Sequence, residues 1–254
     1  MLVRSFSLPG LAAATSLACI PAAAAQEAHP APVMHDVPMG LADAPVTIVE
    51  YASVTCAACQ HFQTDILPRL KARYILSGEA KFVLRDHPTP PAPVSFAGFA
   101  LARCAGEGEY YAVIGDFFAK QTDILAAARN GNARPFIVQI GAAHGLSEAD
   151  VEACIRNPAL QTYIQKQLDD APDMTSTPAV FVNDTRVAGF TYEAISTAVD
   201  EALEAARQAA LPPTPEEVPA PEPSPAPPSP PPADPTPPAS EPLALAPRSA
   251  VRPD

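Results

Sequence analysis

The apolar positions of this chain change their spacing several times, and each change marks an element. Val46-Thr47-Ile48-Val49-Glu50-Tyr51 is a short β-branched run, the pattern of a buried strand, with Glu50 as its one charged member. From Cys56 onward Phe62, Ile66, Leu70 and Tyr74 recur at helical spacing. They predict a helix that opens at or near Cys56, with Pro68 placed to kink it. Lys81-Phe82-Val83-Leu84-Arg85 reads as a second strand, closed by a proline-rich turn from Pro88 to Pro93.

Between Val94 and Asp170 the chain is rich in Ala, Leu, Glu and Gln and is broken at Gly106, Gly108, Gly131, Gly145 and Pro158. This predicts four or five helices and no strand. Helix starts are written at Ser147-Glu148-Ala149-Asp150, a capping-box pattern, and at Asn157-Pro158. Then follow a strand at Ala179-Val180-Phe181-Val182, a turn at Asn183-Asp184 and a short strand at Arg186-Val187-Ala188. A last helix runs from Tyr192 to Ala210, capped by Thr191. The order is a βαβ unit and a ββα unit separated by a helical insertion over 94–170. The two halves can form one mixed α/β sheet with helices on both faces, since right-handed crossovers lay the first helix over it.

The two ends of the chain have different compositions. Residues 1–25 hold one basic residue, Arg4, then an apolar stretch from Phe6 to Ile20 and the run Pro21-Ala22-Ala23-Ala24-Ala25. That is the layout of a secretory signal peptide with Ala23-x-Ala25 as its cleavage box. Ser16-Leu17-Ala18-Cys19 offers an alternative, a lipoprotein signal in which Cys19 is acylated. Residues 212–254 hold 18 of the 33 prolines and few large apolar side chains. Such a segment cannot bury enough surface to offset its chain entropy and is expected to be an extended tail, either a spacer or a docking strand. The folded domain is then 26–211. A formal net charge of −12 without any basic run argues against nucleic acid as a partner.

The chemistry concentrates at Cys56-Ala57-Ala58-Cys59, directly after a strand and at the opening of a helix. Two cysteines at this spacing can close a disulfide on the first helical turn. The helix N-terminus favours a thiolate on the first of them. Cys56 is therefore the expected nucleophile and Cys59 the buried resolving partner. A C-x-x-C can also be half of a zinc site, but zinc needs a second pair of ligands. Here Cys104 and Cys154 stand alone and His61 shares the helix of Cys59. Neither a metal nor a cofactor is expected.

Three separated segments, Glu50 to Cys59, Phe82-Val83-Leu84-Arg85-Asp86 and Thr177-Pro178-Ala179-Val180-Phe181-Val182-Asn183, occur in order around the helical insertion. Together they resemble the DsbA-type thioredoxin-fold family over roughly 40–208. The resemblance implies a thioredoxin fold with an inserted all-helical subdomain. It makes Pro178 a cis-proline facing the redox pair, with Thr177 before it, in a loop that receives an extended substrate strand. Glu50 matches the family's acid six residues before the first active cysteine, a candidate to exchange a proton with Cys59. Its alternative is a strand-end glutamate that reaches solvent. The chain departs from many members by having alanine at both positions between the cysteines, where a histidine would add positive character. Thiolate stabilisation is then expected mainly from the helix N-terminus, with weaker oxidising power.

Once Cys19 is lost with the leader, four cysteines remain, an even number in a compartment where disulfides persist. A structural bridge between Cys104 and Cys154 is expected, and some relatives carry a second bridge. The alternative is two buried thiols packed as small hydrophobes. By resemblance the protein is a monomeric periplasmic oxidase that introduces disulfides into reduced exported proteins and is reoxidised by a quinone-linked membrane partner of the DsbB type. The same chemistry also supports a reductase or isomerase. From other classes come a non-catalytic peptide-binding module using the Thr177-Pro178 loop and a kappa-type small-molecule isomerase.

Overall fold

The computed structural model describes residues 31–211. The expected leader over 1–25, Cys19 with its two possible fates, and the proline-rich tail over 212–254 lie outside the described residues.

A mixed five-stranded sheet forms the centre. Its strands are β1 (Pro38–Met39), β2 (Val46–Ala52), β3 (Ala80–Asp86), β4 (Ala179–Val182) and β5 (Thr185–Arg186), in the spatial order β1-β3-β2-β4-β5. β2 lies parallel to β3, with Glu50 opposite Leu84, and antiparallel to β4, with Glu50 opposite Val180. β2 is thus paired on both sides, and its alternate residues Val46, Ile48, Glu50 and Ala52 are wholly buried. The turn after β4 places Asn183 at φ 50, a left-handed conformation that asparagine tolerates. Its side-chain oxygen accepts the Thr47 N–H at 3.0 Å.

The helix after β2 is continuous from Ala57 to Ile75 but not uniform. It runs as α1 (Ala57–His61), a π-helical turn over Phe62–Ile66, α2 (Leu67–Leu70) and a second π-helical turn over Lys71–Ile75. The apolar spacing explains this. Phe62, Ile66, Leu70 and Tyr74 recur every fourth residue, whereas an α-helix turns in about 3.6. On an ideal helix the stripe would wind away from the sheet. π-helical turns hold more residues each, and all four side chains stay buried. Pro68, expected to kink the helix, sits at the start of α2 directly after the first π turn. The missing N–H therefore falls where the ladder is already interrupted.

The insertion holds six helices rather than four or five. They are α3 (Ala92–Ala105), α4 (Glu107–Ala119), α5 (Gln121–Arg129), α6 (Arg134–Ala143), α7 (Glu148–Arg156) and α8 (Pro158–Asp169). Gly106 at φ 90 separates α3 from α4. The additional break is Lys120, at φ −101 and ψ 8 between α4 and α5, and no glycine or proline announces it. The capping box at Ser147 and Asp150 is formed, and Asn157 accepts the N–H groups of Ala159 and Leu160 at 2.9 and 3.2 Å. The last helix among the described residues is α9 (Tyr192–Ala209), capped by Thr191 and packed on β2 and β4.

Two strands differ from the sequence expectation. β1 was not expected, because a two-residue strand has no periodicity to read; it pairs with the edge of β3, Pro38 opposite Val83. β5 covers Thr185–Arg186 instead of 186–188, since after Val187 donates to Val180 O at 2.9 Å the chain turns away.

The insert is tied to the sheet by a buried ion pair. Arg103 Nε lies 2.5 Å from Asp86 Oδ2, and both side chains are buried. Tyr110 donates its hydroxyl to the other oxygen of Asp86 at 2.9 Å. Arg103 also donates to the carbonyls of Val33 and His35 at 3.0 and 3.1 Å, so one guanidinium joins α3, the end of β3 and the segment that leads into β1. Burial opposes its charge, but Asp86 outweighs that and keeps Arg103 protonated.

Candidate functional site

The site forms where β2 ends. Ser53, Val54 and Thr55 turn the chain, and Cys56 is the N-cap residue of α1 at φ −91 and ψ 122, extended rather than helical. Its own N–H donates to Ser53 O at 3.0 Å, and its carbonyl accepts Gln60 N–H at 3.0 Å. Cys56 is therefore held at the rim, half-buried, while Cys59 lies one turn inside and is fully buried. Both are free thiols.

Several groups keep this turn in place. Ser53 Oγ lies 2.7 Å from Ser95 Oγ and 2.9 Å from Thr55 Oγ1, and accepts the Thr89 N–H at 3.2 Å. Thr55 in turn donates to the Thr89 carbonyl at 3.0 Å. From the insert, the buried amide of Gln121 donates to both Val54 O, at 2.9 Å, and Cys56 O, at 3.0 Å. Gln60 reaches back to Phe118 O at 2.6 Å. Gly98 of α3 allows the close approach, since a Cβ there would stand 2.7 Å from Val54 Cγ2. Buried hydroxyls and amides that are all partnered specify one arrangement of the backbone they hold.

Across from Cys56 is the loop that enters β4. The Thr177-Pro178 bond is cis, and the Cys56 thiol donates to the Thr177 carbonyl at 3.3 Å. A second cis bond, Pro90-Pro91, precedes α3. Four of the residues singled out in the sequence, Cys56, Cys59, Thr177 and Pro178, thus converge on one place, with Glu50 buried beneath on β2. Cys104 and Cys154 are bonded to each other, joining α3 to α7 within the insert. His61 faces outward and pairs with Asp65 at 2.8 Å.

The two thiols are driven in opposite directions. The Cys56 pKa is lowered to about 5, first because the Cys59 thiol donates to it, against the cost of burial, then through the Thr177 side chain and the amides of Cys59 and Ala58. The Cys59 thiol thus ranks ahead of either helix-end amide taken singly. Burial pushes the Cys59 thiol far up, reinforced by its donation to Cys56 and by the charge of Glu50. Its sulfur accepts the Ser53 N–H at 3.5 Å.

Glu50 is raised well above the usual carboxylate range by burial, an effect opposed by a hydrogen bond from Gln63 and increased by Cys56. It does not reach solvent. Gln63 donates to its Oε2 at 2.6 Å, and no group among the described residues hydrogen-bonds to Oε1. Gln63 and Gln121 were not identified in the sequence. Gln63 carried a readable signal, being a polar residue four positions after Cys59 beside the apolar stripe. Gln121 lies 62 residues downstream of Cys59 at the start of an unforeseen helix, and nothing local marks it.

A family model described as thioredoxin matches residues 33–201. A Rickettsia conorii protein that carries the provisional name protein-disulfide oxidoreductase is 28% identical over 179 residues, which cover 69% of this chain and 63% of that protein. The chain thus spans less than two thirds of that relative's length. Disulfide bond formation protein D of Bacillus subtilis is 41% identical over 44 residues, 17% of this chain and 20% of that one. Among solved structures, alpha-DsbA1 of Wolbachia pipientis superposes with a TM-score of 0.63 at 21% identity, covering 70% of this chain and 96% of that one. BdbD of Bacillus subtilis gives 0.60 at 20% identity, covering 68% and 96%. At these identities the two structures share the fold, sheet and helical insert alike.

Proposed function

Because the chain belongs to the thioredoxin family, we propose that it is a thiol:disulfide oxidoreductase that introduces disulfides into exported proteins through Cys56 and Cys59. The observation that carries this is the asymmetry of the pair. Cys56 is half-buried with a pKa of about 5, while Cys59 is buried and held as a thiol. In the oxidised enzyme a substrate thiolate attacks Cys56 Sγ, and Cys59 leaves with the bonding electrons and takes up a proton. A second substrate thiolate then attacks the substrate sulfur of the mixed disulfide, closing the substrate disulfide and releasing Cys56 as a thiolate.

A stable Cys56 thiolate favours the reduced form of the enzyme, and a couple whose reduced form is favoured oxidises others. This supports the oxidase over the reductase or isomerase despite the alanines at 57 and 58. Glu50 is the proton partner of Cys59, supported by its burial, its raised pKa and its electrostatic effect on that thiol. Thr177 and Pro178 form the wall against which the substrate strand lies. The Cys104–Cys154 bridge is structural.

The domain plan follows the sequence: a leader over 1–25, a redox domain over 26–211 and a proline-rich spacer over 212–254. The periplasm is the proposed location. Among the described residues no helix is long and apolar enough to cross a membrane. A quinone-linked membrane protein of the DsbB type is the proposed reoxidising partner of a monomer.

The test is the reduction potential of the Cys56–Cys59 couple, equilibrated against glutathione and paired with thiol trapping in intact cells. A potential well above the glutathione pool and mostly oxidised cysteines in the cell support the oxidase. A value near thioredoxin's with mostly reduced cysteines supports the reductase.

A further inference from the structure

Glu50 sits in an environment that leaves its two oxygens unequal. The carboxyl lies on the central strand, fully buried. Oε2 accepts the Gln63 amide at 2.6 Å, and Oε1 has no hydrogen-bond partner among the described residues. Gln63 belongs to the π-helical turn Phe62–Ile66, in the continuous helix that carries Cys56 and Cys59. It is only partly buried, whereas Phe62 next to it is wholly buried. A π turn alters which side chains of a helix face the layer beneath, and here Gln63, within that turn, meets the buried carboxyl. Titratable groups that interact electrostatically with Glu50 include Cys56 and Cys59 from the same helix, and Tyr111 from α4. The Tyr111 hydroxyl is engaged with Val37 O at 2.7 Å.

The geometry points to Gln63 as a positioning residue: its amide holds Glu50 by Oε2 and leaves Oε1 as the atom that exchanges a proton with Cys59. This rests on the reading of Glu50 as the proton partner of Cys59. When the Cys56–Cys59 bond is broken by an incoming thiolate, Cys59 Sγ takes the electron pair and the proton of the Glu50 carboxyl, which is left as a carboxylate. In the return step the Cys59 thiol gives that proton back to Oε1. Its sulfur then bonds to Cys56 Sγ, and the partner sulfur is expelled as a thiolate. A carboxylate without a donor on either oxygen is costly in an apolar interior. The neutral amide supplies one such donor without adding charge, so Glu50 can pass between both forms. A carboxylate at position 63 would repel, and an apolar side chain would give nothing.

The experiment follows closure of the active-site disulfide after reduced protein is mixed with glutathione disulfide, as a function of pH, in Gln63→Leu, Glu50→Gln and the double variant. Expected is a closure step slowed about tenfold near neutral pH in Gln63→Leu, with the acid limb of its profile moved up by about one pH unit. In the Glu50→Gln background the Gln63→Leu change adds nothing further, because the amide acts through the carboxyl. Gln63→Met, of similar length, repeats the measurement if Gln63→Leu fails to fold. An unshifted profile, or an equal effect with and without Glu50, overturns the role of Gln63 while leaving Glu50 as the proton partner. Closure that Glu50→Gln does not slow overturns both.

Discussion

Cys56 Sγ and the carbonyl oxygen of Thr177 lie 3.3 Å apart, although 121 residues of chain separate them. The whole helical insertion is spent between these two atoms, so Cys56 faces the Thr177-Pro178 loop only because β2 and β4 are neighbours in the sheet. The contact also bears on titration. A thiol can donate to that carbonyl and a thiolate cannot, so ionisation relies on the Cys59 thiol, the Thr177 side chain and the helix amides.

The reduced protein should therefore show thiolate ultraviolet absorbance with a midpoint near pH 5 instead of the ordinary 9.0. Cys59→Ala removes the foremost donor and should raise that midpoint, whereas an unchanged midpoint would mean that the helix amides suffice. The sign of the linkage is fixed by the depressed folded value. The stability that ionised Cys56 contributes to the reduced form is fully present above the unfolded value and is lost as pH falls through about 5. Denaturation of the reduced and oxidised forms in parallel, from pH 4 to 9, should show the reduced form gaining on the oxidised form as pH rises.

Glu50→Gln should stabilise the protein at neutral pH while slowing exchange. A buried acid with a raised pKa is neutral at low pH in both folded and unfolded chains and contributes no penalty there. As pH rises past about 4.5 the unfolded chain ionises first and is favoured. Removing the acid should gain on the order of 1–3 kcal/mol in urea denaturation at pH 7. That gain should vanish below about pH 4, where the unfolded glutamate is protonated. A gain equal at both pH values would show that packing, not charge, is responsible.

Much of the site was legible because its chemistry is local. Cys56-Ala57-Ala58-Cys59 after a β-branched run states strand, turn and helix start within a dozen residues, and Asn183-Asp184 states the hairpin. What escaped was made by distant contacts. Gln121 acquires its role only when α5 closes on Val54 and Cys56. β1 exists because Pro38 and Met39 find the edge of β3, and Lys120 breaks a helix without any residue that demands it. The π turns lie between these cases. The four-residue spacing from Phe62 to Tyr74 reads as helical, yet it exceeds the α-helical period, which is the mark of the irregular turns.

Arg103 lacks any sequence signature but should be among the most costly residues to replace. Arg103→Met leaves the Asp86 carboxyl buried with Tyr110 as its remaining partner among the described residues, and frees the carbonyls of Val33 and His35. Breaking one side of a buried pair costs about 3–5 kcal/mol, which urea denaturation would measure directly. The paired replacement Arg103→Met with Asp86→Leu should recover much of that loss, since no uncompensated charge remains. If the double variant is as unstable as the single one, the hydrogen bonds to the N-terminal segment carry the energy instead.

The Cys104–Cys154 bridge closes a separation of 50 residues between α3 and α7, and it shares helix α3 with Ser95, whose hydroxyl meets Ser53 beneath the active turn. Its removal by Cys104→Ser with Cys154→Ser should lower stability by about 2–4 kcal/mol, through the greater freedom of the unfolded chain. An effect confined to the unfolded state leaves the folded site as it was. The thiolate midpoint of Cys56 in the double variant should therefore remain near 5. A midpoint that rises with loss of the bridge would mean that α3 must be pinned at Cys104 to hold Ser95 against the turn. The second disulfide would then set the reactivity of the first pair as well as the stability of the fold.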